Sequence, residues 1–267
     1  MQTHLAAEFQ NTPDGDAAEA ILRKCVHCGF CTATCPTYLL LGDELDGPRG
    51  RIYLMKQLLE GAPVSRSTRL HLDRCLTCRN CETTCPSGVE YGHLLDIGRE
   101  WIETRAPRPA TQKIERAGLR YALVNPMLFG NALRLGRALR GLLPEGLRRR
   151  VPVARPAPGR PAPRHARRML ILEGCVQPQI DPGINAAAAR VLDRLGISLV
   201  AAPRAGCCGA LDQHLGAVEA ARAAMRRNID AWWPEIEAGN IEAIVMTASG
   251  CGSQVKDYGW LLRDDPA

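Results

Sequence analysis

One stretch of twelve residues occurs twice in this chain, the second copy offset by 50 positions. Cys25-Val-His-Cys28-Gly-Phe-Cys31-Thr-Ala-Thr-Cys35-Pro36 returns as Cys75-Leu-Thr-Cys78-Arg-Asn-Cys81-Glu-Thr-Thr-Cys85-Pro86, with every cysteine and both prolines in register. Three cysteines at three-residue intervals wrap a short loop around one side of a compact group and present three thiolates to it. Backbone N–H groups of such a loop can point at the same group and offset its negative charge. The fourth cysteine, followed by proline, is turned away from its own loop. Twelve cysteines in 267 residues would suit a disulfide-rich secreted protein. However, Met1–Asp16 has neither the basic start nor the apolar run of a secretory signal. Without export the thiols are expected to stay reduced, which points to metal or redox chemistry.

The spacing C-x2-C-x2-C-x3-C-P is the bacterial ferredoxin run for a [4Fe–4S] cluster, and in two-cluster ferredoxins the fourth cysteine ligates the other cluster. The expected ligand sets are therefore Cys25, Cys28, Cys31 and Cys85 for one cluster, and Cys75, Cys78, Cys81 and Cys35 for the second. Structural zinc is the alternative, but zinc sites usually use separated C-x2-C pairs or Cys/His pairs. Four cysteines within eleven residues, twice, fit that poorly, and His27 reads as a loop residue. Between and after the motifs the chain has helical periodicity: Ile52, Met55, Leu58 and Leu59 within 51–60, then Leu94, Leu95, Ile97, Trp101 and Ile102. Residues 1–106 are thus expected to form a helical two-cluster ferredoxin-like domain.

Residues 107–143 read as a helical bridge. A helix is expected over Asn125–Leu143, with an apolar face and a basic stripe of Arg134, Arg137 and Arg140. Such a helix either packs on the cluster domain or rests on an anionic membrane surface. Residues 144–168 hold eight arginines, one acid and six prolines, which accounts for the whole net charge of +6. Proline at that density favours an extended, semi-rigid linker. The basic balance therefore describes a linker rather than a face, and no nucleic-acid partner is expected. A zinc-stabilised nucleic-acid-binding protein remains the alternative from another class.

Beyond the linker, strands are expected at Met169–Glu173, Ile197–Ala201 and Ile241–Thr247, with helices over 184–195 and 212–229. This alternation predicts a parallel sheet in an α/β domain over 169–267. Cys175, Cys207, Cys208 and Cys251 each follow a strand end, where open α/β sheets bind ligands. They form a candidate redox or additional cluster site; the bland alternative is a set of buried, inert thiols. The fold class is accordingly α+β and multidomain.

Gly206-Cys207-Cys208-Gly209, with Cys175 upstream and Ser249-Gly250-Cys251-Gly252 downstream, resembles the cysteine-rich CCG domain of heterodisulfide reductases and 2-hydroxy-acid dehydrogenase subunits. Together with the N-terminal repeat, with Gly42–Tyr53, and with Asn228-Ile-Asp-Ala-Trp-Trp-Pro234, the chain resembles the iron–sulfur subunits of bacterial glycolate oxidases. Two departures stand out. Family members usually carry the CCG domain twice, whereas this sequence stops soon after the first copy and looks truncated; and Gln254 stands where some CCG domains have a second cysteine.

The resemblance implies an electron-transfer subunit of a glycolate dehydrogenase/oxidase complex. Separate FAD-bearing subunits would oxidise glycolate to glyoxylate, with D-lactate as a side substrate. Electrons would then pass through two [4Fe–4S] clusters towards a respiratory acceptor such as a quinone. No catalytic residue for the hydride step is expected in this chain, because no complete dinucleotide fingerprint is present: Val255 replaces the third glycine after Gly250 and Gly252. Related lactate, glycerol-3-phosphate or heterodisulfide reductase-like complexes are the near alternatives. No apolar run is long enough to span a membrane, so the expected place is the cytoplasm, with peripheral attachment to the cytoplasmic face of the inner membrane as an extension.

Overall fold

The computed structural model describes residues 1–266, which divide into two compact units, Met1–Pro109 and the chain from Ala110 onward. The first unit is helical. Helix α1 (Pro13–Lys24) starts where Thr12 Oγ1 accepts the Gly15 N–H at 3.1 Å, with proline at the first position. Asp14 and Asp16 in its first turn, and Arg23 and Lys24 in its last, complement the helix dipole. Helix α2 (Pro48–Leu59) buries Ile52, Met55, Leu58 and Leu59. It packs on α3 (Arg66–Asp73) and α4 (Tyr91–Arg105), whose Leu72, Leu94, Leu95 and Ile102 complete the core. Gly98 lets α4 approach Met55 closely, since a Cβ there would lie 2.8 Å from the Met55 sulfur. Phe9 stacks on Trp101 with ring centroids 3.5 Å apart, and the Arg105 guanidinium covers both rings at 4.8 Å.

The second unit opens with α5 (Ala110–Val124) and α6 (Pro126–Ala138). The latter is shorter than its apolar pattern suggests, because the chain turns after Ala138 ahead of Gly141 and Pro144. Residues 152–165 run without regular structure, and their arginines are solvent-exposed yet paired with carboxylates. Arg155 pairs with Asp181 at 2.8 Å, Arg160 with Glu173, and Arg164 with Asp193, which also meets His165 at 2.9 Å. Charge attraction lays this basic segment along the acidic edges of its own unit.

Strands β1 (Arg167–Ile171), β2 (Ile197–Ala201) and β3 (Ile241–Val245) form a parallel sheet in the order β2-β1-β3. Arg167 pairs with Ile197 and Ile171 with Ala201. The first strand begins two residues before its expected start, and the third stops at Val245 rather than Thr247. Helix α7 (Gly183–Arg194) packs against β2. The single helix expected over 212–229 is two: a short one, Ala210–His214, and α8 (Val218–Glu237). Gly216, at φ +80°, makes the break. Leu170, Leu172, Met225, Trp232 and Tyr258 lie in the core, while Trp233 is more than half exposed.

Two glycines give opposite expectations. A Cβ on Gly50 would sit 2.2 Å from the Glu44 carbonyl oxygen, so Gly50→Ala forces α2 off the 44–46 turn. It should cost about 1–3 kcal/mol or more. Gly118, within α5, has nothing within 4 Å of its Cβ direction, and Gly118→Ala should be neutral or stabilise by about 0.5–1 kcal/mol. Denaturant midpoints of the two variants check both signs.

Candidate metal centre

The two cysteine loops turn at the same positions, although a 3-10 turn (Phe30–Thr32) follows in the first and an α-helical turn (Asn80–Thr83) in the second. His27 and Gly29 are at φ +55° and +86°, and the residues 50 positions later, Thr77 and Arg79, are at +55° and +59°. A left-handed residue between right-handed neighbours turns successive N–H groups into one concavity, a nest suited to anionic sulfur. The Thr77 N–H, for example, lies 3.4 Å from Cys75 Sγ. A non-glycine residue pays about 1 kcal/mol or more for this conformation, so the loops hold it against local preference. The repeats also touch. Thr84 Oγ1 donates to Thr34 Oγ1, its counterpart in the first copy, at 3.2 Å, and both hydroxyls reach the Asn80 carbonyl.

Two small cavities lie between the loops, of about 430 and 290 Å³ including their open mouths. Cys25, Cys28, Cys31 and Cys85 line the first. Cys35, Cys75, Cys78 and Cys81 line the second. Pro48, Cys81 and Tyr91 belong to both walls, so the cavities adjoin. The first wall thus holds three thiols of the first repeat with Cys81 and Cys85 of the second, and the other holds three thiols of the second repeat with Cys35 of the first. All twelve cysteines are free thiols. Cys28 and Cys78 are exposed, while Cys25, Cys35 and Cys81 are buried.

Three of the thiols, Cys25, Cys31 and Cys81, resist ionisation. Burial raises the Cys25 pKa, with smaller contributions from Cys85 and Cys28. The Cys31 thiol is pushed up to about 11, by burial first and then by Cys25. Cys81 is raised further for the same reason, with Cys75 next. Burial also raises Tyr91, whose hydroxyl donates to Cys75 Sγ at 3.5 Å. His27, whose buried Nε2 has no hydrogen-bond partner among the described residues, completes the first wall. Converging soft donors, mutually repulsive when ionised, fit a multinuclear iron centre that supplies positive charge and requires thiolate ligands.

In the second unit the four remaining cysteines also come together, at the carboxyl ends of the strands. Cys175 Sγ lies 3.5 Å from Cys207 Sγ, and Cys208 hydrogen-bonds with both Cys207 and Cys251. Cys207 is pulled well below the ordinary thiol range by hydrogen bonds from Cys175 and Cys208, with help from the Gly209 N–H and Arg227. Cys175 and Cys208, the donors, are raised. Asn228, fully buried on α8, holds this loop: its Oδ1 accepts the Gly206 N–H at 2.8 Å, and its Nδ2 donates to the Cys207 carbonyl and to Tyr258 Oη at 2.9 Å. Tyr258 in turn donates to the Cys208 carbonyl at 2.9 Å. Reasoning from the cysteines alone passes over Asn228 and Tyr258. The available signal was an amide in the apolar face Ala221, Ala224, Met225, Asn228, Trp232.

Comparison with known families agrees with this geometry. A 4Fe-4S dicluster domain matches residues 21–89, and a cysteine-rich domain of the CCG type matches residues 169–256. Along the chain, a region similar to dicluster iron–sulfur domains is therefore followed by one similar to CCG domains. It is 59% identical over 99% of its length to the glycolate oxidase iron-sulfur subunit of Escherichia coli (strain K12), covering 65% of that protein. It is 33% identical over 97% of its length to the probable glycolate oxidase iron-sulfur subunit of Bacillus subtilis (strain 168), covering 63% of it. Lactate utilization protein A of Bacillus thuringiensis (strain Al Hakam) is 28% identical over 34% of the chain and 36% of its own length. The chain thus spans just under two thirds of the two relatives it matches along nearly all its length. No solved structure gives a significant match.

The raised thiols of the dicluster domain predict a pH effect on the metal-free chain. A thiol whose folded pKa lies above its ordinary 9.0 stabilises the fold fully below 9 and loses that contribution as pH rises through the folded value. For Cys31 the window is pH 9 to about 11. Metal-free Cys31→Ala should show a shallower fall in melting temperature across that window than the parent chain.

Proposed function

We propose that this chain is the electron-carrying iron–sulfur component of a glycolate oxidase complex. The observation that carries the reading is the gathering of eight free thiols at two adjoining cavities, with Cys85 of the second repeat in the wall built by the first and Cys35 of the first repeat in the wall built by the second. We assign Cys25, Cys28, Cys31 and Cys85 to one [4Fe–4S] cluster, and Cys75, Cys78, Cys81 and Cys35 to the second. When bound, such clusters supply one-electron transfer. The protein's part is to fix the sulfur atoms, to shield the inner side with Ile52, Val89 and Tyr91, and to leave Cys28 and Cys78 near the surface. Cys175, Cys207, Cys208 and Cys251 form a further redox or cluster site in the same reading.

Oxidising a 2-hydroxy acid such as glycolate removes two electrons and breaks a C–H bond, which calls for an organic cofactor. With no complete dinucleotide fingerprint in the chain, that step belongs to separate FAD-bearing subunits acting on glycolate, with D-lactate as a side substrate. The lactate utilization relative supports a lactate-oxidising complex as the second reading. Electrons leave for a respiratory acceptor, a quinone by class. No helix among the described residues is long and apolar enough to cross a membrane. Peripheral attachment to the cytoplasmic face of the inner membrane is part of the proposal, supported by exposed Met127, Leu128 and Leu135 on the arginine-bearing helix α6. We divide the chain into a cluster domain (1–106), a helical bridge (107–143), a basic linker (144–168) and a CCG domain (169–267). Pairing of Arg155, Arg160, Arg164 and Arg167 with carboxylates weighs against a nucleic-acid role for the linker.

Anaerobically prepared chain should contain about eight irons with matching sulfide if only the dicluster domain is loaded. Cys35→Ser should perturb the cluster held by the second repeat, and Cys85→Ser that of the first, as read by EPR of the reduced protein. Colourless protein, or zinc in place of iron, overturns the ligand assignment. Adding flavoprotein partners and glycolate should reduce the clusters. Reduction by lactate but not by glycolate would favour the second reading.

A further inference from the structure

The two cysteine cavities have matched loops but different walls: half-buried Arg79 and buried Arg51 both line the second, and Arg51 is the one withdrawn from water. Arg51 is 1% exposed and lines the cavity of Cys35, Cys75, Cys78 and Cys81. Its Nε donates to the His71 carbonyl at 2.7 Å and its Nη1 to Thr37 Oγ1 at 3.1 Å. Thr37 Oγ1 lies 3.2 Å from Cys35 Sγ, so the guanidinium stands one hydroxyl away from a proposed ligand. The counter-charge is Asp46, which is fully buried and divided among several partners. Its Oδ1 meets Arg51 Nη2 at 3.4 Å and His71 Nδ1 at 3.0 Å, while its Oδ2 accepts from Arg74 at 2.8 Å. One buried carboxylate therefore faces two guanidinium groups, of which Arg51 is buried and Arg74 is 42% exposed, and the exposed Asp43 carboxylate lies within 4.8 Å of Asp46 and His71.

The first cavity has no fully buried cation: the Met1 ammonium, which donates to the Cys25 carbonyl at 3.0 Å, is only partly buried. Arg49 is the one guanidinium in its wall, and it is matched one-to-one by Glu44 at 2.6 Å, with both side chains more than a third exposed. Its field is both compensated and screened by solvent. A buried charge acts through a much lower effective dielectric than an exposed pair does. Because the loops share their left-handed positions, their peptide dipoles contribute alike, and the walls decide the difference.

We infer that Arg51 sets the redox polarity of the dicluster domain: the site of Cys35, Cys75, Cys78 and Cys81 has the higher reduction potential, so an electron shared between the sites settles there. Reduction adds one negative charge to a cluster, and a nearby cation shielded from water stabilises that form. Net charge, hydrogen bonding and exposure are the protein's levers on cluster potential. Arg51 acts through its field and through Thr37, as a potential-setting residue rather than a ligand. The inference rests on the crossed ligand sets proposed above.

The test is a potentiometric titration of the anaerobic, cluster-loaded full chain followed by EPR, with Cys35→Ser identifying the signal of the second site. In the parent chain that signal should be the upper of two one-electron waves. Arg51→Met should lower it by at least about tenfold in the reduction equilibrium, about 59 mV for one electron, while the other wave moves less. Arg51→Lys should keep most of the parent value. Asp46→Asn, which removes the counter-charge and keeps the side chain's shape, should move the same wave upward. A merely structural disturbance would not give opposite signs. If Arg51→Met does not take up iron, the sign of the Asp46→Asn shift decides. The inference is overturned if the second site holds the lower wave, if the charge changes leave it in place, or if they move it the same way. Absence of two [4Fe–4S] signals in the parent chain is a distinct result, and it overturns the ligand reading first.

Discussion

Thiolates drawn into a small space repel one another, and the N-terminal unit is organised around that repulsion. Burial and neighbouring thiolates raise Cys25, Cys31 and Cys81 together. A cavity walled this way is costly to ionise until a cation of high sulfur affinity enters, and metal binding and deprotonation become one event. Much of the surrounding structure keeps the sulfur atoms from moving apart. The left-handed residues close the loops, the Thr34–Thr84 contact ties them together, and Tyr91 reaches Cys75 from the core side. The helices supply a rigid frame in which Leu94, Leu95 and Met55 are completely buried.

The thiol positions were readable in the sequence because their spacing is a local rule, and a 50-residue offset preserves it without reference to tertiary structure. Helices α2 and α4 were readable for a similar reason, each carrying apolar residues at helical period. The rest depended on information that spacing does not hold. The break at Gly216 looked like part of one apolar helix until its positive φ was known. The linker's arginines are exposed as their sequence suggests, but their ion pairs were not readable because the acidic partners, Asp181, Glu173 and Asp193, lie 13 to 29 residues away along the chain. Arg51 is the sharpest case. It precedes Met55 by four residues and Leu58 by seven, which places it on the buried face of α2, yet only the fold shows Asp46 and His71 arriving to receive it.

The second unit meets the same problem of crowded sulfur in another way. Here the thiols hydrogen-bond one another, so that Cys175 and Cys208 stabilise charge on Cys207 while remaining protonated. Parallel strands deliver the loops to one end of the sheet, and Asn228 with Tyr258 fixes the backbone on which Cys207 and Cys208 stand. A buried amide satisfied on three sides is costly to replace, because each abandoned partner loses its hydrogen bond in a site that water does not reach. The order of this loop therefore derives from the helix behind it.

Duplication alone would produce two equivalent sites, and equivalent sites give an electron no preferred direction. The copies have diverged where their surroundings differ. Cys35-Pro36 starts a helix, Pro36–Leu41, whereas Cys85-Pro86 leads into a turn. Gly29 leaves room that the Arg49 guanidinium fills, since a Cβ there would lie 2.7 Å from its Nη1, while Arg79 occupies the equivalent position in the second loop. The threonine that follows the first helix's proline, Thr37, connects Cys35 to the Arg51 network, and the second copy has Ser87 at that place, in the wall of the other cavity. The repeated loops set how sulfur is presented; the unrepeated residues around them set what charge each site feels. A relay needs both, because the first fixes the centres close together and the second tilts the energy between them.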